Sequence, residues 1–106
     1  MENNWIKVST LTDIPDDDVV GIVANGHQIA LYKANGEVFA TDNICTHGHA
    51  LLSDGFLEDG EIECPLHQGR FCIKSGKAMS GPLTENIRSY PVRVDGQDVL
   101  MSGLTE

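Results

Sequence analysis

Apolar residues come in short runs along this chain, separated by dipeptides that favour tight turns, and no window of eleven or more residues holds a helical spacing. The pattern predicts strands over residues 6–8, 19–23, 28–33, 38–41, 61–64, 70–73, 87–94 and 99–101. Between the runs lie Asn25-Gly26, Asn35-Gly36, Asp59-Gly60, Ser75-Gly76 and Asp95-Gly96, dipeptides that readily supply the positive φ of a hairpin turn. So many tight turns in one short chain indicate an all-β protein with antiparallel sheets. Pro91, inside Tyr90-Pro91-Val92, has no N–H to give a ladder and is expected at a strand start or edge. Asp16-Asp17-Asp18, after Pro15, reads as a solvated loop. Residues 42–82 carry most of the irregular loop residues.

With 106 residues the chain is long enough for one domain, 1–106, and marginal for two. Seven basic against sixteen acidic residues give a formal charge of -9. That charge disfavours nucleic acid and anionic membrane surfaces and favours a basic protein partner. The start, Met1-Glu2-Asn3-Asn4-Trp5, shows no basic stretch leading into an apolar one, and nowhere do eighteen apolar residues run together. The expectation is a cytoplasmic protein with no membrane anchor.

The chemistry lies in two short motifs. Cys45-Thr46-His47 is followed, after sixteen residues, by Cys64-Pro65-Leu66-His67. Each offers one thiolate and one imidazole, together four ligands split evenly between sulfur and nitrogen. A [2Fe-2S] cluster in which two Cys hold one iron and two His hold the other needs that set. A structural zinc site also accepts two Cys and two His. Its usual order, however, pairs Cys with Cys and then His with His, whereas each arm here carries one of each. A third reading is that the four side chains simply pack in a core. The three cysteines, at 45, 64 and 72, cannot supply the four thiolates of an ordinary ferredoxin cluster, and an odd number does not describe a disulfide framework. Cys72, next to Phe71 in an apolar run, reads as a small packed side chain. His49 could replace His47 as the nitrogen ligand of the first arm, and His27 reads as a surface residue in a turn.

The two motifs, within Ala40-Thr41-Asp42-Asn43-Ile44-Cys45-Thr46-His47-Gly48 and Glu63-Cys64-Pro65-Leu66-His67-Gln68-Gly69-Arg70-Phe71, resemble the Rieske proteins. In particular they look like the ferredoxin components of bacterial aromatic ring-hydroxylating dioxygenases, in the group of the naphthalene and nitroarene dioxygenases and related salicylate hydroxylases. The likeness covers essentially the whole chain. It implies the Rieske fold, an antiparallel β-sandwich with an inserted cluster-binding subdomain over residues 42–82. It also implies one [2Fe-2S] cluster held by Cys45, His47, Cys64 and His67, with Ser80-Gly81-Pro82-Leu83 as a loop covering it. The implied role is a one-electron carrier, not an enzyme. A flavin-containing NAD(P)H-dependent ferredoxin reductase would supply the electrons and a terminal oxygenase would take them, with this protein a monomer between the two. Membrane-anchored members carry a second cysteine pair in a disulfide, at positions that here are Ala50 and Leu66. High-potential members place Ser and Tyr hydroxyls at positions that here are Gly69 and Phe71, so a low potential is expected.

A carrier also agrees with the residues themselves. A terminal oxygenase needs a further domain with two His and a carboxylate around a mononuclear iron. Only His27 and His49 remain after the ligands are assigned, and only 39 residues follow His67. The Cys-bound iron should face inward and the His-bound iron outward. Leu51, Leu52, Leu66 and Pro82 are expected as an apolar rim, and Asp54, Glu58, Asp59, Glu61 and Glu63 as an acidic ring steering a basic partner. Two other functions compete: a Rieske-like accessory subunit of a nitrite reductase, which commonly lacks the ligands present here, and a zinc-stabilised interaction module.

Overall fold

The computed structural model describes residues 5–46, 50–66, 69–79 and 85–104. Among them are β1 (Ile6–Thr10), β2 (Asp18–Ala24), β3 (His27–Ala34), β4 (Glu37–Asp42), β5 (Phe56–Glu58), β6 (Glu61–Glu63), β7 (Arg70–Cys72), β8 (Ser89–Tyr90), β9 (Val92–Asp95) and β10 (Asp98–Met101). Two 3-10 turns, Leu11–Asp13 and Leu52–Asp54, complete the set. The strands form three antiparallel sheets, ordered β1-β10-β9, β2-β3-β4-β8 and β5-β6-β7.

Three of the predicted turn dipeptides act as their chemistry dictates, whereas Asp95 ends β9 opposite Asp98 and Gly96 with Gln97 makes that turn. Asn25, Asn35 and Asp59 have φ of 51°, 52° and 54°, and the following Gly26, Gly36 and Gly60 have φ of 79°, 78° and 78°. Two successive positive φ angles make the type I′ turn whose twist suits a two-residue hairpin. The register agrees, with Ala24 opposite His27, Ala34 opposite Glu37 and Glu58 opposite Glu61.

β3 organises the interior. Alternate side chains of a strand point to opposite faces, and here Ile29, Ala30, Leu31 and Tyr32 are all fully buried. Ile29 and Leu31 join a core with Ile14, Val99 and Met101, towards the β1-β10-β9 sheet. Ala30 and Tyr32 join a second core with Leu52, Ile62, Phe71, Cys45 and Cys64, towards the β5-β6-β7 sheet. The β2-β3-β4-β8 sheet is therefore the middle of three layers.

The structure departs from the sequence-based strands in two places. Residues 87–94 do not form one strand. Ser89–Tyr90 pairs with β4, Val92–Asp95 pairs with β10, and Pro91 stands between them. Its missing N–H ends one ladder where the chain passes to another sheet. β5 was not expected, because three residues, Phe-Leu-Glu, are too few to show alternation. β5, β6 and β7 all lie in the chain between β4 and β8, which pair with each other through Ala40 with Tyr90 and Thr41 with Ser89.

Candidate metal centre

Cys45 and Cys64 are reached by two loops of matching construction. The Cys45 N–H donates to the Ala50 carbonyl at 2.9 Å, and the Cys64 N–H donates to the Gly69 carbonyl at 2.8 Å. In each case a cysteine ends the ascending leg and its N–H closes the loop onto the residue five positions later. Both side chains point into one core, 3% and 0% exposed, while Thr46, Pro65 and Leu66 after them are exposed. Cys45 and Cys64 are buried and Cys72 is half-buried. His47, His49, His67 and the loop 80–83 lie outside the described residues.

The legs of the two loops are held differently. Those of the second are β6 and β7, paired through Glu61 with Cys72, Ile62 with Phe71 and Glu63 with Arg70. Among the described residues, those of the first form no strand pair beyond β4. They meet in a single bridge between Ile44 and Leu51 and in a bond from the Leu52 N–H to the Asn43 carbonyl at 2.7 Å. The buried Asn43 side chain adds two more bonds. Its Oδ1 accepts from the Ser53 N–H at 2.8 Å and its Nδ2 donates to Ser53 Oγ at 3.0 Å. Thr46 Oγ1 donates to the Glu85 carbonyl at 3.3 Å, tying the tip of the first loop to the return segment.

Beneath the loops, β4 and β8 are joined by side chains as well as backbone. The Asp42 N–H donates to the Arg88 carbonyl at 2.9 Å, and the Tyr90 hydroxyl donates to Asp42 Oδ1. The Arg88 guanidinium lies 4.8 Å from the centre of the Tyr90 ring. Burial and the Asp42 carboxylate push the Tyr90 phenol up to about 12, because both disfavour a second negative charge. Thr41 Oγ1 donates to the Asp42 carbonyl at 2.8 Å, so the fully buried Tyr32 hydroxyl is the donor in its 2.7 Å bond to Thr41. Burial raises the Tyr32 phenol well above its ordinary value.

Two expectations about the surroundings change, for Leu52 and Cys72, and a third gains detail. Leu52 is fully buried among core residues and is no part of an apolar rim, because the 3-10 turn Leu52–Asp54 directs it inward against β2 and β3. Leu66 is 56% exposed and Leu51 half-buried, while Pro82 lies outside the described residues. Of the acidic residues expected to ring the site, Glu58, Glu61 and Glu63 are ion-paired within the molecule. They converge on Arg70, with N···O distances of 3.6, 3.6 and 3.2 Å, on the outer face of the β5-β6-β7 sheet. Cys72 is half-buried instead of packed, and a hydrogen bond from Ser75 pulls its thiol below the ordinary value. It lines a surface groove with Phe39, Asp59 and Lys74 that neither Cys45 nor Cys64 borders. His27 is half-buried at the start of β3.

The donor chemistry fits an iron-sulfur cluster. Two thiols, buried in one core at the feet of paired loops, could hold an iron away from water, and in thiolate form their charge would be neutralised by the metal. The family model of the Rieske [2Fe-2S] domain matches residues 4–91. The chain belongs to the Rieske [2Fe-2S] family, and its cofactor is one Rieske-type [2Fe-2S] cluster. It is 56% identical over 101 residues to the ferredoxin component of the naphthalene 1,2-dioxygenase/salicylate 5-hydroxylase systems of a Ralstonia species, covering 95% of this chain and 97% of that one. It is 52% identical, at the same coverage, to the ferredoxin component of the naphthalene 1,2-dioxygenase system of Pseudomonas aeruginosa. A solved complex of reduced oxygenase and oxidized ferredoxin in carbazole 1,9a-dioxygenase contains a chain with a TM-score of 0.87 at 32% identity, covering 96% of this chain and 95% of that one. Within the family this protein is a ferredoxin of the aromatic-dioxygenase systems, an electron-transfer component and not itself the catalyst. Among the described residues no helix is long and apolar enough to cross a membrane.

Proposed function

We propose that Cys45 and Cys64 hold one iron of the cluster and His47 and His67 the other, within a cluster-binding subdomain over residues 42–82 of a single domain. The observation that carries this reading is the repeated loop closure: each buried cysteine is bonded to the fifth residue on, and in the sequence one of the proposed histidines falls between the two. Such a cluster supplies a single reversible electron. A pair of imidazoles on the outer iron gives that electron a short path to a partner, while the sulfur-bound iron stays in the core.

The protein acts as a cytoplasmic monomer. It takes electrons one at a time from a flavin-containing NAD(P)H-dependent reductase and gives them to a terminal oxygenase that hydroxylates an aromatic ring. The names of the relatives and the solved oxygenase complex support this place in the chain. The formal charge of -9 supports basic protein partners over nucleic acid or anionic membranes. Cluster content and electron flow test the two halves of the reading. His67→Ala should purify without the visible spectrum of a Rieske cluster, and His49→Ala should retain it. The unmodified protein should carry electrons between a matching reductase and oxygenase. A colourless protein holding one zinc, or a cluster lost with His49 and kept without His47, would overturn the ligand set.

A further inference from the structure

The first cluster loop lacks the paired strands that hold the second, and one buried side chain supplies the missing connections. Asn43 makes four hydrogen bonds. Its N–H donates to the Gln28 carbonyl of β3 at 2.9 Å, and its carbonyl accepts from the Leu52 N–H. Its side chain then grips both the N–H and the hydroxyl of Ser53. It thus ties the ascending leg of the loop to the middle sheet on one side and to the descending leg on the other, two residues before Cys45. At 2% exposure it could not leave these groups unpaired without a desolvation penalty for each.

Gly21, on the neighbouring strand β2, completes the arrangement. A Cβ there would lie 2.8 Å from Asn43 Nδ2 and 2.8 Å from Ser53 Oγ, and 3.3 Å from Ser53 Cβ. The strand has no side chain at the one place where the clamp passes. Gly in a strand interior weakens it and often marks a close approach of another group, and here that group is the bonded pair of Asn43 and Ser53 side chains.

We infer that Asn43, seated against Gly21 and bonded to Ser53, is the positioning residue of the first cluster loop, fixing the height and direction at which Cys45 meets its iron. The inference rests on Cys45 being a ligand, and it concerns how that ligand is held. Groups that orient metal ligands typically change metal affinity about 10–100-fold when removed.

The test compares release of iron from the purified holoprotein to a chelator, together with its visible circular dichroism and its reduction potential. Six variants are needed: Asn43→Ala, Ser53→Ala, the two combined, Gly21→Ala, Cys45→Ala, and Ile29→Val. Ile29→Val trims the opposite core and serves as a control for general loss of stability. Asn43→Ala should release iron about tenfold faster or more than Ile29→Val, with a changed dichroism spectrum. Ser53→Ala, which keeps the N–H to Oδ1 bond, should lie between them. The Asn43→Ala/Ser53→Ala double variant should release iron no faster than Asn43→Ala alone, because the first change already breaks both side-chain bonds. Gly21→Ala should speed release without removing any hydrogen-bonding atom, and it keeps the test alive should Asn43→Ala fail to fold. Release at the control rate from Asn43→Ala, or from Ser53→Ala and Gly21→Ala together, overturns the inference. Cys45→Ala distinguishes the two readings. A cluster retained by that variant sinks the ligand assignment, whereas its loss alongside control-rate release from the clamp variants sinks only the positioning role.

Discussion

Gly55→Ala should be among the most damaging single-methyl changes that this chain can suffer. Gly55 follows the turn Leu52–Asp54 with φ -94° and ψ -158°, angles that any residue can approach, so the cost is one of space. A Cβ would lie 2.0 Å from the carbonyl oxygen of Glu63 and 3.2 Å from that of Leu52. Ordinary contact begins near 3.4 Å, so the strands β5 and β6 must part by more than an ångström where Phe56 faces Glu63. Both obstacles are backbone and cannot swing away. Overpacking costs about 1–3 kcal/mol in general, and a rigid collision belongs at the upper end, roughly 3 kcal/mol. Gly36→Ala is the comparison. Its Cβ meets nothing within 4 Å, but its φ of +78° is left-handed, which costs about 1–2 kcal/mol. Thermal unfolding of the two holoproteins at one scan rate, followed by far-ultraviolet circular dichroism, should show Gly55→Ala lower by several degrees, since 1 kcal/mol is worth about 4–8 °C in a domain near this size. Because Glu63 adjoins Cys64, Gly55→Ala should also lose iron sooner. Melting at or above that of Gly36→Ala would refute the reasoning.

Three further outcomes are expected. The reduction potential should lie towards the low end of the roughly -150 to +300 mV range of Rieske centres, and Gly69→Ser with Phe71→Tyr should raise it. Phe71 is fully buried, so a hydroxyl there must find an acceptor nearby, and protein-film voltammetry showing no upward shift in a folded variant would refute the hydrogen-bond argument. Electron transfer to basic partners should slow as salt rises, because screening shortens the reach of the protein's charge to about 8 Å at physiological ionic strength. A flat stopped-flow response across a salt series would make apolar contact the main determinant. Tyr90 is neutral when protonated and its folded-state value is raised, so it stabilises the fold below its ordinary value of 10.0 and loses that contribution as pH climbs towards about 12. Urea titrations across that window should show a decline that Tyr90→Phe makes shallower, and an unchanged slope would exclude the phenol as a source.

Much of the fold was legible because hairpin chemistry is local. Asn25-Gly26, Asn35-Gly36 and Asp59-Gly60 each need only two residues to fix a turn, and all three adopt positive φ in succession. What the sequence concealed was set by distant partners. Leu52 looks like Leu51 in composition, and only the packing of its turn against β2 and β3 decides that one is buried and the other half-exposed. Phe56–Glu58 is a strand because β6 lies beside it. Asn43 and Ser53 are polar residues in a loop-rich stretch, and nothing local distinguishes a solvated Asn from one buried beneath Gly21. The cysteines were legible as chemistry, through spacing and ligand type. Their common burial and matching loop closures needed the third dimension.

The pairing of Thr41 with Ser89 has a consequence for how this architecture can diversify. Everything from the first loop to the return segment leaves and re-enters the middle sheet through two neighbouring strands, whose facing Cα atoms are about 4.5–5.5 Å apart. A two-residue turn could span that gap. On this topology a change in the length or charge of the segment need not re-register the strands that form the other core. The attachment is not free of obligation, however. Ala30 and Tyr32 on the underside would be laid bare by its loss, so the frame needs a cover even where it no longer needs an electron.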